Sequence, residues 1–383
     1  MSIDKCYNVE DFRKIAKRKL PSPIYGYMAG GADDEVTLRQ NTTAFDTNQL
    51  VPNTLIDVSQ IDTSVRVLGT DMKLPFYCSP SGASRLWHPD KELGVSAAAA
   101  NAGIIYSLAT FSTTSIEEIG AANNGPKMFQ IYVFKDRELS MEFVHRAKEA
   151  KFDSICITVD SSISGNRERD LYTGLSFPPK LTPSSFFKFA AKPAWSIPFM
   201  TDKRGFEMSN IAHKIDAFGG GMNTFELAHS LFDVSVTWKD IAGFAAAWDG
   251  PFALKGIQSV GDARKAIDVG ATAIIVSNHG GRQLDGMAAP IDRIATIRDA
   301  VGDKLEIIAD SGFRRGTHML KAIAMGADAC SFARPYIYAL AAGGQAGVAR
   351  MLNLLREEVE RDMALLGVTS IDQISEKHIF RSS

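Results

Sequence analysis

Disulfide chemistry is the first thing this sequence lacks. Its four cysteines, Cys6, Cys78, Cys156 and Cys330, are scattered through 383 residues without the paired spacing that a stapled scaffold or a metal knuckle needs. Three of them fall in apolar runs that read as strands, so reduced thiols and no metal centre are expected. An excess of either charge is lacking too. Lys plus Arg number 42 against 44 Asp plus Glu, a formal −2, which gives no global field to draw nucleic acid or anionic lipid. Any anion must therefore be held locally. No stretch is apolar and long enough to span a bilayer, and Met1-Ser2-Ile3-Asp4-Lys5 leads into a polar helical pattern rather than a signal-peptide core. A cytoplasmic, non-secreted protein is expected.

What is present is a repeated alternation. Apolar, β-branched runs alternate with helical patterns, as parallel strands joined by crossover helices do. Strands are predicted at Pro75 to Pro80, Ile104 to Ala109, Met128 to Val133, Ser154 to Asp160, Phe252 to Ile257, Ala273 to His279, Glu306 to Gly312 and Ala329 to Pro335. Helices are predicted between them at Asp136 to Lys151, Ser259 to Val269, Ile291 to Ala300 and Arg315 to Met325. Eight strand-helix pairs predict an α/β fold of the closed (β/α)8 TIM-barrel class, which holds more than about two hundred residues in one unit. Residues 1–383 thus read as a single domain, with 1–60 as an N-terminal helical cap around a helix at Val9 to Lys19. One gap breaks the rhythm. After the fourth strand a long insert, 161–237, interleaves Phe177, Phe186, Phe187, Phe189, Trp195, Phe199, Phe206 and Phe218 with Pro, Lys and Ser. A lid on the barrel mouth and a partner or membrane-surface contact both fit such a segment.

Active sites of this fold occupy the C-terminal mouth of the barrel, and polar residues collect at the predicted strand ends. They are Ser79, Ser81, Thr110, Gln130, Tyr132, Thr158, Asp160, Lys255, Ser277, His279, Arg282, Asp310, Arg314 and Arg334. The run Ser277 to Asp285 sets an imidazole and a guanidinium three residues apart across two glycines. His titrates near neutrality and can take a proton, whereas Arg keeps its charge and fits a carboxylate with two parallel donors. The pair suits removal of a proton beside an acid group. A second run, Ala309 to Gly316, follows another strand and is built for phosphate. Plainer readings stand beside these. His279 alone would more often be structural, Asp160 a helix cap, Arg167 a solvated loop charge and Tyr27 core packing, while one of the adjacent Arg314 and Arg315 should be structural. Lys255 resists such a reading, because a buried ammonium is costly unless it is paired. His88, His145, His213, His229, His318 and His378 fall in helical or lid segments and are assigned no chemistry.

In this order these residues resemble the FMN-dependent 2-hydroxy-acid dehydrogenases and oxidases, the family of glycolate oxidase, flavocytochrome L-lactate dehydrogenase and L-mandelate dehydrogenase. The resemblance runs from Leu20-Pro21 and Tyr27 through Gln130-Ile131-Tyr132, Thr158-Val159-Asp160, Lys255-Gly256, Ser277 to Asp285 and Asp310 to Gly316, ending at Arg334-Pro335. It implies FMN as cofactor, His279 as the base, Asp160 as the partner of the imidazolium, and the Tyr132 hydroxyl facing the substrate oxygen. Arg282 and Arg167 would clamp the substrate carboxylate, with the Tyr27 hydroxyl as a third donor. Lys255 would lie at the pyrimidine edge of the flavin. Gln130, Thr158 and Ser277 would hydrogen-bond the ring, and Pro80, Ser81 and Gly82 would run beside it. Ala109 stands near the flavin where many members have Ser. Asp310, Gly312, Arg314, Ala333 and Arg334 match the strand ends around the phosphate, Ala333 in place of a common Gly.

The implied reaction is oxidation of an (S)-2-hydroxy acid to the 2-oxo acid. At the pocket positions Gly82 makes room, Phe111 adds an aromatic wall and Ser164 a small polar surface, which admits L-lactate or a larger aliphatic or aryl acid such as mandelate. The insert and Gly82 favour a dehydrogenase that passes electrons to a quinone or other acceptor. Such a protein would be cytoplasmic, with peripheral contact at the inner face of the membrane, and family likeness implies a homotetramer. An oxidase using oxygen and releasing hydrogen peroxide is the alternative. A barrel that binds FMN or another phosphate ligand without turnover is the reading of another class, though a pure binder needs no base beside a carboxylate clamp.

Overall fold

The computed structural model describes residues 2–175, 183–202, 205–215 and 230–381. All eight predicted strands are present: β1 (Phe76–Cys78), β2 (Tyr106–Ala109), β3 (Lys127–Tyr132), β4 (Ser154–Thr158), β5 (Phe252–Ile257), β6 (Ala273–Val276), β7 (Glu306–Asp310) and β8 (Ala329–Phe332). Each pairs in parallel with the next, and β8 pairs with β1 to close the barrel. β4 and β6 are buried along their whole length, as parallel strands covered by helices must be. The thiols of Cys78, Cys156 and Cys330 lie in these strands, and with Cys6 they are buried and free. The crossover helices Arg137–Glu149, Val260–Asp268, Ile291–Val301 and Gly316–Ala324 fall where helical spacing predicted them. Asp136 and Ser259 start two of them by accepting the N–H groups of Leu139 and Asp262.

The predicted strands ran too far at their C-terminal ends. Those expected to reach His279, Asp160, Gly312 and Pro335 stop at Val276, Thr158, Asp310 and Phe332. The chain has to leave the sheet to turn polar side chains across the mouth. His279 (φ 56°), Ser311 (φ 78°) and Gly312 (φ 86°) are left-handed, a conformation no strand contains. Gly312 is required there, since a Cβ would lie 1.8 Å from the backbone oxygen of Asn41.

Asn41 belongs to the cap, whose helices Val9–Lys19, Ser22–Ala29 and Val36–Thr43 close one side of the mouth. The cap grips the loop after β6. Ala32 N–H donates to the Gly281 carbonyl (2.8 Å), the Asp285 carboxylate accepts from Val36 and Thr37 N–H (3.1 and 2.7 Å), and the Asn41 and Asn278 amides bond reciprocally. A C-terminal helix, Arg334–Leu366, was not predicted; it breaks at Gly343 and Gly344.

Within the insert, Trp195 stacks on Phe199 at 4.6 Å with Phe189 tilted against it at 5.7 Å, and Trp195 Nε1 donates to the Leu86 carbonyl (2.8 Å). Arg85 lies over Phe199 and binds Asp202 (2.6 Å). Through these contacts this part of the insert packs on the segment after β1. Phe187, Ile197 and Met200 instead face outward, 71%, 61% and 82% exposed. Phe177, Phe218 and the side chain of Phe186 lie outside the described residues.

One buried histidine makes stability depend on pH. The His318 ring stacks on Phe45 at 4.2 Å, and its Nδ1 accepts from the Arg314 N–H. Burial first, then Lys321 and Arg314, pushes its pKa from the ordinary 6.5 down to about 3. The unfolded chain therefore binds a proton that the fold refuses across this window. Stability is full above pH 6.5 and falls as pH drops toward 3, by on the order of a few kcal/mol. His318→Gln is expected to flatten the fall in Tm between about pH 7 and pH 4; equal slopes in both proteins would remove His318 as the cause.

Candidate active site

At the C-terminal mouth the strand ends enclose one cavity. Every residue the sequence assigned to substrate or cofactor lines it except Ser277, and of the catalytic trio only Asp160 stands behind the lining. His279 Nδ1 lies 2.9 Å from Asp160 Oδ1. An ionised carboxylate only accepts, so Nδ1 carries the hydrogen and Nε2 is left as the proton acceptor, 3.4 Å from the Tyr132 hydroxyl. Burial opposes the charge on Asp160, but His279 and Lys255 outweigh it and hold the carboxyl below its ordinary value. Room for Asp160 comes from β5. The register slips between Lys255 and Ile257, and a Cβ on Gly256 (φ 107°) would lie 2.5 Å from that of Asp160. Ser161, which sequence reasoning missed, donates to Asp160 Oδ1 (3.0 Å) and sits 3.3 Å from His279 Nδ1. Its only signal was adjacency to Asp160.

Opposite this pair stand two guanidiniums. Arg167 and Arg282 lie 5.6 and 4.8 Å from the centre of the Tyr27 ring, and both line the cavity. Arg282 Nη1 is fixed by the carbonyls of Tyr27 (2.7 Å) and Gly30 (3.1 Å). Burial and then the neighbouring Arg167 lower the pKa of Arg282, a strain that a bound anion relieves.

Beneath the mouth Lys255 Nζ donates to Asp310 (3.1 Å) and to Ser277 Oγ (2.8 Å). The Ser277 hydroxyl donates to Asp310 (2.7 Å) and accepts from His279 N–H (3.0 Å). Ser79 and Ser331 also donate to Asp310, at 3.0 and 2.9 Å. Burial would raise the Asp310 pKa, but Lys255 and these hydroxyls bring it to about 2. At Lys255 burial works the other way, but Asp310 and then Asp160 outweigh it and raise the pKa. Gln130 and Thr158 line the cavity joined by a 2.9 Å bond from Gln130 Nε2.

At the far end, Arg314 and Arg334 are held by carbonyls rather than carboxylates: Phe313 (2.7 Å) for the first, Gly280 and Gly30 (both 2.8 Å) for the second. Burial lowers both pKa values, that of Arg334 to about 10, so both stay charged at neutral pH. The helices Gly316–Ala324 and Arg334–Leu366 begin here. Two half-buried guanidiniums and two helix N-termini make a donor set that fits the phosphate of FMN. Arg315 pairs with Glu358 (3.1 Å) and is absent from the lining of this cavity.

Aromatic rings wall the remaining side. Phe111 and Phe232 flank Tyr132, with centres 5.3 and 5.0 Å from its ring. Phe232 and Met208, from the insert, and Trp87, stacked on Tyr27 at 5.9 Å, line the cavity without having been singled out from sequence. In an aromatic-rich segment no local pattern marks which ring turns inward.

Residues 16–381 match the FMN-dependent dehydrogenase family. The chain is 38% identical over 372 residues to glycolate oxidase 3 of Arabidopsis thaliana, covering 97% of this chain and 95% of that one. It is 37% identical over 372 residues to a putative L-lactate dehydrogenase of Mycobacterium tuberculosis, covering 97% and 88%. Among solved structures, the monotopic membrane protein (S)-mandelate dehydrogenase superposes with TM-score 0.93 at 31% identity, covering 99% of this chain and 100% of that one. Mandelate oxidase with benzoyl-formic acid superposes with TM-score 0.83 at 34% identity, covering 98% of each chain. With donors that fit a flavin phosphate, an imidazole paired to a carboxylate, and a match over nearly its whole length, the chain belongs to the FMN-dependent dehydrogenase family.

Proposed function

We propose that the protein uses FMN to oxidise a 2-hydroxy acid with an aryl or large apolar side chain to the 2-oxo acid. One observation carries this reading: an imidazole with its acceptor nitrogen beside Tyr132 shares a cavity with the paired cations Arg167 and Arg282. The guanidiniums hold the substrate carboxylate, which fixes the carbon beside it, and Tyr27 supports them. His279 takes the proton at Nε2, and Asp160 neutralises the imidazolium through Nδ1. When bound, FMN would supply the acceptor for the two electrons and the second proton that leave the substrate. Lys255, itself fixed by Asp310, supplies a cation that stabilises negative charge at the cofactor edge. Phe111, Tyr132, Phe232 and Met208 favour an apolar substituent over the bare methylene of glycolate.

For the acceptor, the outward-facing Phe187, Ile197 and Met200 support a dehydrogenase that meets a quinone at a membrane surface. No helix among the described residues is long and apolar enough to cross one. The likeness to a structure described as monotopic agrees with a peripheral contact. The same reading carries a cytoplasmic homotetramer. Anaerobic addition of mandelate, lactate and glycolate is expected to bleach the flavin fastest with mandelate, and reoxidation should be faster with a quinone analogue than with oxygen. Fast oxygen uptake with peroxide release would make it an oxidase, and absence of bleaching by any of the acids would return it to a binding protein.

A further inference from the structure

A second cavity, of about 660 Å3, opens between the N-terminal cap and the barrel end that carries Arg314 and Arg334. Seven of its lining side chains are cationic and one, Glu10, is acidic. Three of the cations have carboxylate partners: Arg13 with Glu10, Arg169 with Glu35, and Arg315 with Glu358. The other four, Lys17, Arg39, Arg314 and Arg334, pair with no carboxylate among the described residues. Arg314 and Arg334 line the flavin cavity as well, so the two spaces share a wall. A flavin phosphate is close to a dianion at neutral pH and neutralises those two, which leaves about two positive charges on the cap side. Mutual repulsion is already felt across the cleft, where Arg13 adds to burial in lowering the pKa of Arg314. Thr42 and Tyr338 add hydroxyl groups to the walls. With three of the seven cations paired and two facing the flavin phosphate, the exposed Lys17 and Arg39 are left to hold a second anion at the rim of this concave space.

We propose that this cleft binds a second anionic group of phosphate chemistry beside the flavin phosphate, with Lys17 and Arg39 as its contacts from the cap. The proposal rests on the FMN reading for the two shared arginines. It also gives the cap a coupling role. Helix Val36–Thr43 carries Arg39 and Thr42 at the cleft and, through Thr37 and Asn41, bonds to Asp285 and Asn278 on either side of His279. An anion bridging this helix to the barrel would therefore steady the catalytic loop.

The test is calorimetric titration of the holoenzyme, its FMN content checked, with inorganic pyrophosphate at fixed ionic strength. Saturable binding of one equivalent is expected, with a rise in Tm. Lys17→Gln/Arg39→Gln should weaken it by about tenfold or more while FMN content stays unchanged. No saturable binding, or equal affinity in the double variant, would overturn the proposal. So would binding that appears only after FMN is removed, since pyrophosphate would then be occupying the flavin phosphate site. Failure of the FMN reading is distinguishable, because the purified protein would then hold no FMN. A second arm separates two sources of the anion. If apoprotein retains FAD as well as FMN, and Lys17→Gln/Arg39→Gln loses only FAD, the second phosphate is part of a longer cofactor. If FAD is rejected while the FMN holoenzyme binds pyrophosphate, the anion is a free one.

Discussion

Replacing His279 by Gln is expected to leave a yellow protein that substrate no longer bleaches at a useful rate. The Gln amide can still donate toward Asp160 and accept from Tyr132, so the geometry of the mouth survives, but it cannot take a proton. Losing a general base costs about 10²- to 10⁴-fold in rate. The FMN site should be spared, because Arg314 and Arg334 hold carbonyls of the loops and not the imidazole itself. Stopped-flow reduction under anaerobic conditions, with the flavin spectrum recorded beforehand, measures both halves of the expectation. A variant within about tenfold of the parent rate would show that another group takes the proton. Asp160→Asn offers a graded control: it keeps the shape of the pair and removes only the charge that stabilises the imidazolium, so a smaller loss is expected, with an altered pH profile.

Lys255→Met is expected to damage stability as well as chemistry. Lys255 and Asp310 are both buried, and the pair lies inside the barrel with Ser79, Ser277 and Ser331 around the carboxylate. Removing the ammonium leaves a buried carboxylate held by hydroxyls alone, a change that typically costs about 3–5 kcal/mol. FMN occupancy should fall with it, because the fixed cation is lost from the cavity. Lys255→Met/Asp310→Asn separates the two effects. Without the unpaired charge the double variant should regain much of the stability but not the rate of flavin reduction. Denaturant unfolding of the three apoproteins gives the first comparison and stopped-flow bleaching the second. The pairing energy also has a pH signature. With the Asp310 pKa depressed from 3.8 to about 2, its contribution is complete above pH 3.8 and disappears as pH falls toward 2. A single variant as stable as the parent would mean that the hydroxyls alone carry the charge of Asp310.

Much of the barrel was legible because its signals are local. Apolar runs of strand length and helical spacing between them report on adjacent residues, and all eight strands and four predicted crossover helices are present. The strand ends were misjudged for a reason equally local. His279, Ser311 and Gly312 take left-handed backbone, and the neighbouring apolar composition gives no hint of it. Helix Arg334–Leu366 escaped notice because Gly343 and Gly344 interrupt its pattern.

By itself the sequence determined the fold class and put an imidazole able to take a proton, and the cations, at the mouth, since residue type decides what can take a proton or hold an anion. Tertiary structure alone decided which side chains act together. It joined Ser277 to Lys255 and Asp310, brought Ser161 to the His279–Asp160 pair, and put Arg314 in the cavity wall while pairing Arg315 with Glu358. It also brought Phe232 and Met208 from the insert, and Trp87 from the loop after β1, to the substrate side. It set Lys17 and Arg39 of the cap beside arginines some three hundred residues later in the chain. The physical reason is distance along the chain: hydrogen bonds, ring stacking and charge pairing act over a few ångströms of space, and only the closed barrel with its cap brings such residues within that range.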